Sequence, residues 1–244
     1  MQVESGPGWE LRCGDYRETL ADVERCDAVI TDPPYSERTH KGALDATTLV
    51  PGVGYTHWTS EDGARFVLSW SDRCAGWLVV HSDDVLGPVL RDTAEACGRY
   101  AFGLLPVLQQ QPRVTGDGPA PFGHVLSVSR PVNREFAAWG SLPGWYMAAR
   151  DGSIVRGGKP VALLRKIVRD YSRAGDLIVD PCAGGGTTLL AAVLEGRRAL
   201  GAELDPETFR KAAERLRKYA PLFETQDTGI ARAPRMRQQK LCLG

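Results

Sequence analysis

The sequence lacks several features that define whole classes of protein. No apolar run approaches the roughly 20 residues that a membrane-spanning helix needs, and the amino-terminal residues do not show the basic-then-apolar order of a signal peptide. The six cysteines include no Cys-x-x-Cys pair, which argues against a zinc ribbon and against a disulfide framework. We therefore expect a cytoplasmic protein with reduced thiols and no contact with a membrane.

Metal ligands and net charge are also scarce. The four histidines share no helical spacing and no clustered carboxylates, so we predict no metal site. They are His40, His57, His81 and His124. With 30 basic and 30 acidic residues the formal net charge is zero, so any phosphate-binding face must be local. The best candidate is the tail 221–244, predicted to be flexible and basic, which is either a nucleic-acid contact or a frayed terminus.

The chain does contain a regular alternation of two apolar patterns. Short β-branched runs, typical of strands buried on both faces, alternate with amphipathic helical patterns, and this order favours one doubly wound α/β domain over residues 1–244. The predicted strands are 27–31, 77–81, 102–108, 124–128, 176–180 and 198–203, and the predicted helices are 160–171, 187–194 and 206–219. Residues 106–158 break the pattern, and we predict there an inserted region with an antiparallel hairpin and long loops.

A glycine-rich turn follows the strand predicted over 176–180. The strand ends at Asp180, three consecutive glycines end at Gly186, and Glu203 ends the next strand about 20 residues later. This arrangement suits a nucleoside, because glycines admit a close ligand and the second acid can accept hydrogen bonds from ribose hydroxyls. A P-loop would need a lysine after Gly186, and a nicotinamide site would need Gly or Ala where Leu189 stands. Two interpretations of this segment remain open: a nucleoside-binding loop of a methyltransferase, and a tight turn that binds no ligand.

The most specific pattern is Asp32-Pro33-Pro34-Tyr35, which directly follows the strand predicted over 27–31. Two prolines stop the strand and make a rigid corner, which at the carboxyl end of a parallel strand faces the ligand crevice. The Asp32 carboxylate and the Pro33 carbonyl can accept the hydrogens of an exocyclic amine, and the Tyr35 ring can stack on a flipped base. A proline-rich surface turn is the alternative.

Together these two segments resemble the β-class of DNA amino-methyltransferases. The likeness covers residues 11–35 and 159–216, with the Asp-Pro-Pro-Tyr half before the glycine half, which is a circular permutation of the commoner order. It implies a Rossmann-like methyltransferase fold, with a doubly wound, mostly parallel sheet and a terminal antiparallel hairpin. It also implies methyl transfer from S-adenosylmethionine to adenine N6 in double-stranded DNA, by a monomer or homodimer. Cytosine N4, an RNA substrate and a non-catalytic nucleic-acid-binding homologue are the alternatives.

The resemblance also implies a role for each matching residue. Catalysis would depend on Asp32, Pro33, Pro34 and Tyr35. Asp180 would bind the methionine amino group, Glu203 the ribose, and Asp15 the adenine of the cofactor, while Lys159 and Pro160 close over the methionine end. The other implied cofactor contacts are Pro181, Cys182, Ala183, Gly184, Gly186, Thr187, Thr188 and Leu204.

Two departures from the family pattern bear on these roles. Cys182 stands where the family usually has Phe, and Arg156-Gly157-Gly158 stands where His-Pro-Thr often precedes Lys-Pro. Residues 106–158 match no pattern, and we predict that they form the target-recognition region. Their aromatic side chains, among them Trp139, Trp145 and Tyr146, are either stacking residues or the floor of a small apolar cluster.

Overall fold

The structure is a computed structural model that describes residues 2–39, 56–110, 123–133, 136, 139–148 and 158–220. Its strands are β1 (Gln2–Gly6), β2 (Trp9–Cys13), β3 (Cys26–Thr31), β4 (Cys74–Ser82), β5 (Arg99–Ala101), β6 (Leu105–Gln109), β7 (Gly123–Pro131), β8 (Tyr146–Ala148), β9 (Leu177–Asp180) and β10 (Arg198–Glu203). Its helices are α1 (Tyr16–Thr19), α2 (Ser60–Ser71), α3 (Leu86–Ala96), α4 (Val161–Tyr171), α5 (Thr187–Leu194) and α6 (Pro206–Tyr219).

The ten strands of the described residues join one mixed sheet in the order β1-β2-β10-β9-β3-β4-β7-β6-β8, with β5 also paired to β7. The five central strands from β2 to β4 are parallel, whereas β7 runs antiparallel to β4, β5 and β6. The predicted doubly wound, mostly parallel sheet with an antiparallel hairpin at one end is therefore confirmed. A second antiparallel hairpin, β1 with β2, lies at the other end.

Helices cover both faces of the sheet, which explains why its central strands are apolar throughout. One core cluster packs α4, α5 and α6 on a face that includes Ile30, Val79 and Ile178. The other packs α2 and α3 on the opposite face, against Val29 and Val80. Neighbouring residues of each strand thus alternate between two buried layers.

Local sequence explains where the helices begin. Thr59 and Asp62 form a capping box at the start of α2, and the Asp205 carboxylate accepts the Thr208 amide at the start of α6. The helices predicted over 187–194 and 206–219 have those bounds, and α4 begins at Val161, one residue after the predicted start at Pro160.

Two predictions about chain organisation concern segments that lie partly or wholly outside the described residues. Within 106–158, the described residues include most of β6, all of β7 and β8, and the loop residues 139–145, whereas 111–122 and 149–157 lie outside the described ranges. The tail 221–244 also lies outside them. None of the described helices is long and apolar enough to cross a membrane.

The strand predicted over 102–108 begins too early. The structure has β6 from Leu105 to Gln109, and residues 102–104 connect it to β5, which ends at Ala101. The strands predicted over 77–81 and 124–128 are longer in the structure, as β4 and β7. Both β5 and β6 pair with β7, and between them Phe102 donates its amide to the Val128 carbonyl.

Candidate active site

The two segments with the most specific sequence patterns meet at one edge of the sheet. Strands β3 and β9 are parallel neighbours, aligned at Val29 and Val179, so both end on the same side. The hydroxyl of Thr31, the last residue of β3, donates to Asp180 Oδ1 at 2.6 Å. The Asp32-Pro33-Pro34-Tyr35 corner and the glycine turn therefore leave the sheet side by side.

The glycine turn leaves open space where a ligand can approach. Gly184 and Gly186 have φ angles of 51° and 71°, a left-handed conformation that disfavours larger residues. No described atom lies within 4 Å of the position that a Cβ on Gly184 would take. Around this opening, Pro181 is buried, and the buried Ala183 donates its amide to the Ala202 carbonyl, which holds the turn against β10.

Asp180 is a buried carboxylate at the base of this turn. It is 2% exposed, and its Oδ1 accepts the Thr31 hydroxyl and the Cys182 amide at 3.1 Å. Burial raises the pKa of Asp180 to about 6, although hydrogen bonds from Thr31, Thr188 and Cys182 oppose the rise. A buried carboxylate that is costly to ionise is suited to bind a cation such as an ammonium group.

Glu203 bridges the glycine turn to the start of α6. Its carboxylate accepts the Gly184 amide at 2.7 Å and the Asp205 amide at 2.9 Å, and burial raises its pKa. These two bonds leave lone pairs on both oxygens for further donors. Leu204, which follows Glu203, is 58% exposed beside the turn.

The end of β2 brings Asp15 to the same edge. The Gly14 amide donates to the Glu203 carbonyl at 2.9 Å, because β2 and β10 are parallel neighbours. Asp15 itself caps α1 through the Arg17 amide and also pairs with the Arg17 side chain, and these interactions lower its pKa. The structure thus shows Asp15 at the rim, with its carboxylate already engaged.

The Asp32-Pro33-Pro34-Tyr35 corner is held by contacts with two other segments of the chain. Pro33 is buried, Pro34 is half-buried, and the Tyr35 carbonyl accepts the Trp58 amide at 3.1 Å. Just beyond, the buried Asp83 accepts the Ser36 amide at 2.9 Å and the hydroxyls of Ser36 and Thr39. Although burial opposes ionisation, these hydrogen bonds hold the pKa of Asp83 below its ordinary value.

Asp32 has one engaged oxygen and one orphaned oxygen. Lys159 Nζ donates to Asp32 Oδ2 at 2.6 Å, and the same ammonium lies 5.0 Å from the centre of the Tyr35 ring. Asp32 Oδ1 is buried and has no hydrogen-bond partner among the described residues. Lys159 and Pro160 lie at the head of α4, so the block expected to close over the cofactor is positioned at the Asp-Pro-Pro-Tyr corner.

A pair of buried histidines lies next to this corner, and sequence reasoning missed it. His81 Nδ1 and His124 Nε2 are 2.7 Å apart, and the His124 ring lies 6.2 Å from the Tyr35 ring. Burial lowers the pKa of His81 to about 3 and lowers that of His124 well below its ordinary value, so the pair is neutral. The pairing of β4 with β7 brings the two together, and no local spacing signals it.

The remaining predicted residues fall in two groups. Thr187 and Thr188 are buried in the first turn of α5, where the Thr187 hydroxyl accepts from Arg215 at 2.9 Å. The aromatic residues behave differently from one another: Trp139 stacks on Phe136 and Tyr146 is buried, whereas Trp145 is 53% exposed. Trp145 lines a surface depression of about 340 Å³ with Lys166, Arg169 and Asp170, away from the Asp-Pro-Pro-Tyr corner.

The residues at this edge fit an adenosine derivative with an amino-acid end. The open space at Gly184 can take a nucleoside, the lone pairs of Glu203 can accept ribose hydroxyls, and the buried Asp180 can accept an ammonium. Cys182 lies beside these acids, and its thiol is kept protonated, since burial and then Asp180 raise its pKa. The side chain present in place of Phe is thus a small neutral group.

Comparisons with known proteins agree with this chemistry. A family model described as DNA methylase, of the N6/N4 type, matches residues 155–214. The DNA adenine methyltransferase YhdJ of Escherichia coli is 40% identical over 58 residues, which are 24% of this chain and 20% of that protein. The matched segment therefore spans about a fifth of the length of this curated relative.

Solved structures extend the likeness to the whole fold. The complex of M1.HpyAVI with S-adenosylmethionine has a TM-score of 0.63 at 19% identity, over 85% of this chain and 98% of that one. The PvuII DNA methyltransferase, described as cytosine-N4-specific, has a TM-score of 0.54 at 16% identity, over 88% and 92% of the two chains. These matches show two things about the chain: residues 155–214 match the N6/N4 type of DNA methylase, and the chain shares the Rossmann-like fold of these two solved methyltransferases.

Proposed function

We propose that the chain transfers a methyl group from S-adenosylmethionine to the exocyclic N6 amine of adenine in double-stranded DNA, after the base has flipped out of the duplex. The observation that carries this proposal is the contact between Thr31 and Asp180, which joins the Asp-Pro-Pro-Tyr corner to the glycine turn at a single edge. A methyl donor held by the turn and an amine held by the corner would then be neighbours.

The chemistry needs a polarised amine, because the lone pair of an exocyclic amino group is delocalised into the base. The cofactor supplies an electrophilic methyl group, and the S–C electron pair stays with sulfur as the N–C bond forms. Asp32 and the Pro33 carbonyl accept the two amine hydrogens and direct the nitrogen lone pair outwards. As the nitrogen becomes positive, Asp32 stabilises it and takes its proton, while Tyr35 stacks on the base.

The same geometry supports the proposed cofactor-binding roles. Asp180 would accept the ammonium of the methionine part, Glu203 the ribose hydroxyls, and Asp15 the adenine amine at the rim. The carbonyls and amides from Cys182 to Gly186 would line the nucleoside. Binding an ammonium would return Asp180 to its charged form, which burial otherwise opposes.

Adenine is favoured over cytosine as the target base for two reasons. Asp rather than Ser precedes Pro-Pro-Tyr, and YhdJ, which matches part of the chain, is by name an adenine methyltransferase. Cytosine N4 is the alternative, because a structure of the same fold is by name cytosine-N4-specific. Because the net charge of the chain is zero, a local basic surface would have to bind the DNA phosphates.

The test is to incubate the protein with unmethylated DNA and methyl-labelled S-adenosylmethionine, and then to digest the DNA to nucleosides. We expect the label in N6-methyl-2′-deoxyadenosine. Label found only in N4-methyl-2′-deoxycytidine would move the target to cytosine. A parallel reaction with RNA in place of DNA tests the substrate class, and label in RNA but not in DNA would contradict the proposal.

The Asp32→Ala variant tests the mechanism in the same assay. Losing a group that stabilises the transition state costs about 10²- to 10³-fold in rate, while cofactor binding at the glycine turn should persist. Asp92→Ala, an exposed change on α3, is the matched control and should keep the wild-type rate. An Asp32→Ala protein with full activity would remove Asp32 from the mechanism.

A further inference from the structure

Lys159 occupies the position that the proposed function assigns to the acceptor amine. Its ammonium donates to Asp32 Oδ2 at 2.6 Å and lies 5.0 Å from the centre of the Tyr35 ring. Those are the carboxylate and the ring that a flipped base with an exocyclic amine would use. The Lys159 side chain is only 13% exposed and that of Asp32 25%, so the pair is withdrawn from solvent.

This ion pair is incompatible with the transfer step. The accepting nitrogen gains positive charge as the methyl group arrives, and an ammonium on the same carboxylate opposes that charge. In a partly buried site this repulsion is screened less than at the surface. Lys159 must therefore leave Asp32 before the amine can be methylated.

The cofactor itself offers a second anion within reach of Lys159. The methionine carboxylate is separated from the sulfur by a short propyl chain, so it must lie near the corner whenever the methyl group faces Asp32. The described acids at this edge, Asp32, Asp180 and Glu203, would repel that carboxylate. Lys159, at the head of α4, is a cation in position to neutralise it.

We propose that Lys159 holds the place of the acceptor amine in the ligand-free protein and moves to the methionine carboxylate of S-adenosylmethionine when the cofactor binds. Cofactor binding thereby opens the acceptor site, and the base enters second. The inference rests on the proposed function and deepens it, since it couples the two substrates of one reaction through a single side chain. By linkage, Asp32 competes with the cofactor for Lys159.

The competition can be measured by binding alone, with two ligands that differ only in the carboxylate. S-adenosylhomocysteine and its decarboxylated analogue share the adenosine, the thioether and the ammonium. Calorimetry gives the dissociation constant of each, and their ratio measures what the carboxylate contributes. Because both ligands carry the ammonium, the attraction between an acid nearby and the ammonium cancels in the ratio. The direct repulsion between Asp32 and the carboxylate does not cancel, and it is measured by comparing the double variant with Lys159→Gln, since neither protein has the lysine.

The variants of the two paired residues give opposite expectations. In Asp32→Asn, Lys159 no longer has to leave a carboxylate, so the preference for S-adenosylhomocysteine should rise about fivefold over wild type. In Lys159→Gln the preference should nearly vanish, and the double variant should match Lys159→Gln. Lys166→Gln removes a lysine of the same helix that faces solvent, and it should keep the wild-type ratio. Thermal unfolding checks that each variant is folded.

The outcomes separate this inference from the proposed function. If Asp32→Asn binds both ligands with the wild-type ratio, or if Lys159→Gln keeps the full preference, the exchange of partners is wrong, whatever happens to DNA. If the wild-type protein binds neither ligand and leaves DNA unmethylated, the proposed function itself fails.

Discussion

At the scale of single residues, the candidate site joins charged groups that are costly to bury. Asp180 is buried with a raised pKa, Glu203 is held by two backbone amides, and Asp32 has one oxygen without a partner among the described residues. Such groups destabilise the ligand-free fold. They are typical of functional sites, where a bound ligand supplies the missing interaction partner. The free energy of binding is therefore expected to come partly from relief of this burial cost.

Asp180→Asn tests that cost. Folding raises the pKa of Asp180 from 3.8 to about 6, so the native state takes up a proton between these values and the ionised carboxylate destabilises the fold above pH 6. Asn keeps an acceptor for Thr31 and carries no charge. At pH 8 we expect the ligand-free variant to be more stable by about 2 kcal/mol in urea unfolding, with the gain lost at pH 4.

The same variant should bind S-adenosylmethionine poorly, because the carboxylate that would accept the ammonium is gone. A protein that is more stable but weaker in cofactor binding would be hard to explain as general damage. Equal stability at pH 8 would show that Asp180 is ionised without penalty, which would contradict its assigned environment.

The His81–His124 pair gives a second residue-scale prediction. Removing one imidazole leaves the other buried without its partner, so His124→Leu should cost about 1–3 kcal/mol, whereas the double Leu variant should cost less than the sum of the two single changes. Urea unfolding at pH 8 measures all three proteins. If the losses of unfolding free energy in the two single variants add up to the loss in the double variant, the 2.7 Å contact does not contribute to stability.

Acid should weaken the wild-type protein through the same pair. Burial lowers the pKa of His81 from 6.5 to about 3, so the unfolded chain binds more protons between these values. Stability from the neutral pair is full above pH 6.5 and is lost as the pH falls. The double Leu variant should lack this part of the pH dependence.

Several of these contacts were beyond reach from the sequence. The resemblance named Asp32, Asp180, Glu203 and Lys159, but nothing in the chain indicated that Lys159 would pair with Asp32, 127 positions away. His81 and His124 were interpreted as unrelated, because strand pairing across 43 positions leaves no local pattern. Pairwise contacts of this kind depend on the assembled sheet.

At the scale of elements, the glycine turn is the segment whose sequence and geometry agree most closely. Three glycines, a preceding acid and a following apolar helix predicted a ligand turn, and α5 begins at Thr187 directly after Gly186. A Cβ on Gly186 would lie 3.4 Å from side-chain atoms of Ala212 and Leu216 in α6, so this glycine also allows a close helix approach.

Gly184→Ala separates binding from backbone strain. Gly184 and Gly175 both have positive φ, at 51° and 84°, and in both cases no described atom lies within 4 Å of the position that a Cβ would take. Alanine should therefore cost each a similar amount, about 1–2 kcal/mol. Only Gly184→Ala should also weaken cofactor binding, because its methyl group would enter the space assigned to the ligand.

Calorimetry with S-adenosylhomocysteine and urea unfolding give the two readings for each alanine variant. A tenfold or larger loss of affinity in Gly184→Ala, with Gly175→Ala unchanged, is the expected pattern. Equal affinities in the two variants would place the ligand elsewhere.

Strand prediction succeeded where strands are buried on both faces and failed where they are polar, alternating or very short. The apolar runs of β3, β4, β7, β9 and β10 were recognised because both of their faces are covered. β1 and β2 were missed, since β1 is polar and largely exposed and β2 alternates. The three-residue strand β8 carries too short a pattern to be recognised.

At the scale of the whole molecule, the two halves of the candidate site follow each other along the chain in the reverse of the commoner order. The Asp-Pro-Pro-Tyr corner follows β3, early in the chain, and the glycine turn follows β9, late in it, yet β3 and β9 are neighbours in the sheet. A circular permutation changes where the chain begins without changing which strand ends meet. The permuted order was predictable from the two patterns, whereas their contact required the sheet.

The central claim is that one edge of the sheet holds both the methyl donor and the acceptor corner. A crystal structure with S-adenosylhomocysteine tests it most directly. We expect the adenosine beside Gly184 and Glu203, the ammonium on Asp180, and the sulfur facing Asp32 and Tyr35 across a space that fits one base. A ligand bound away from this edge, such as in the depression beside Trp145 and Lys166, or a sulfur turned away from Asp32, would contradict the account.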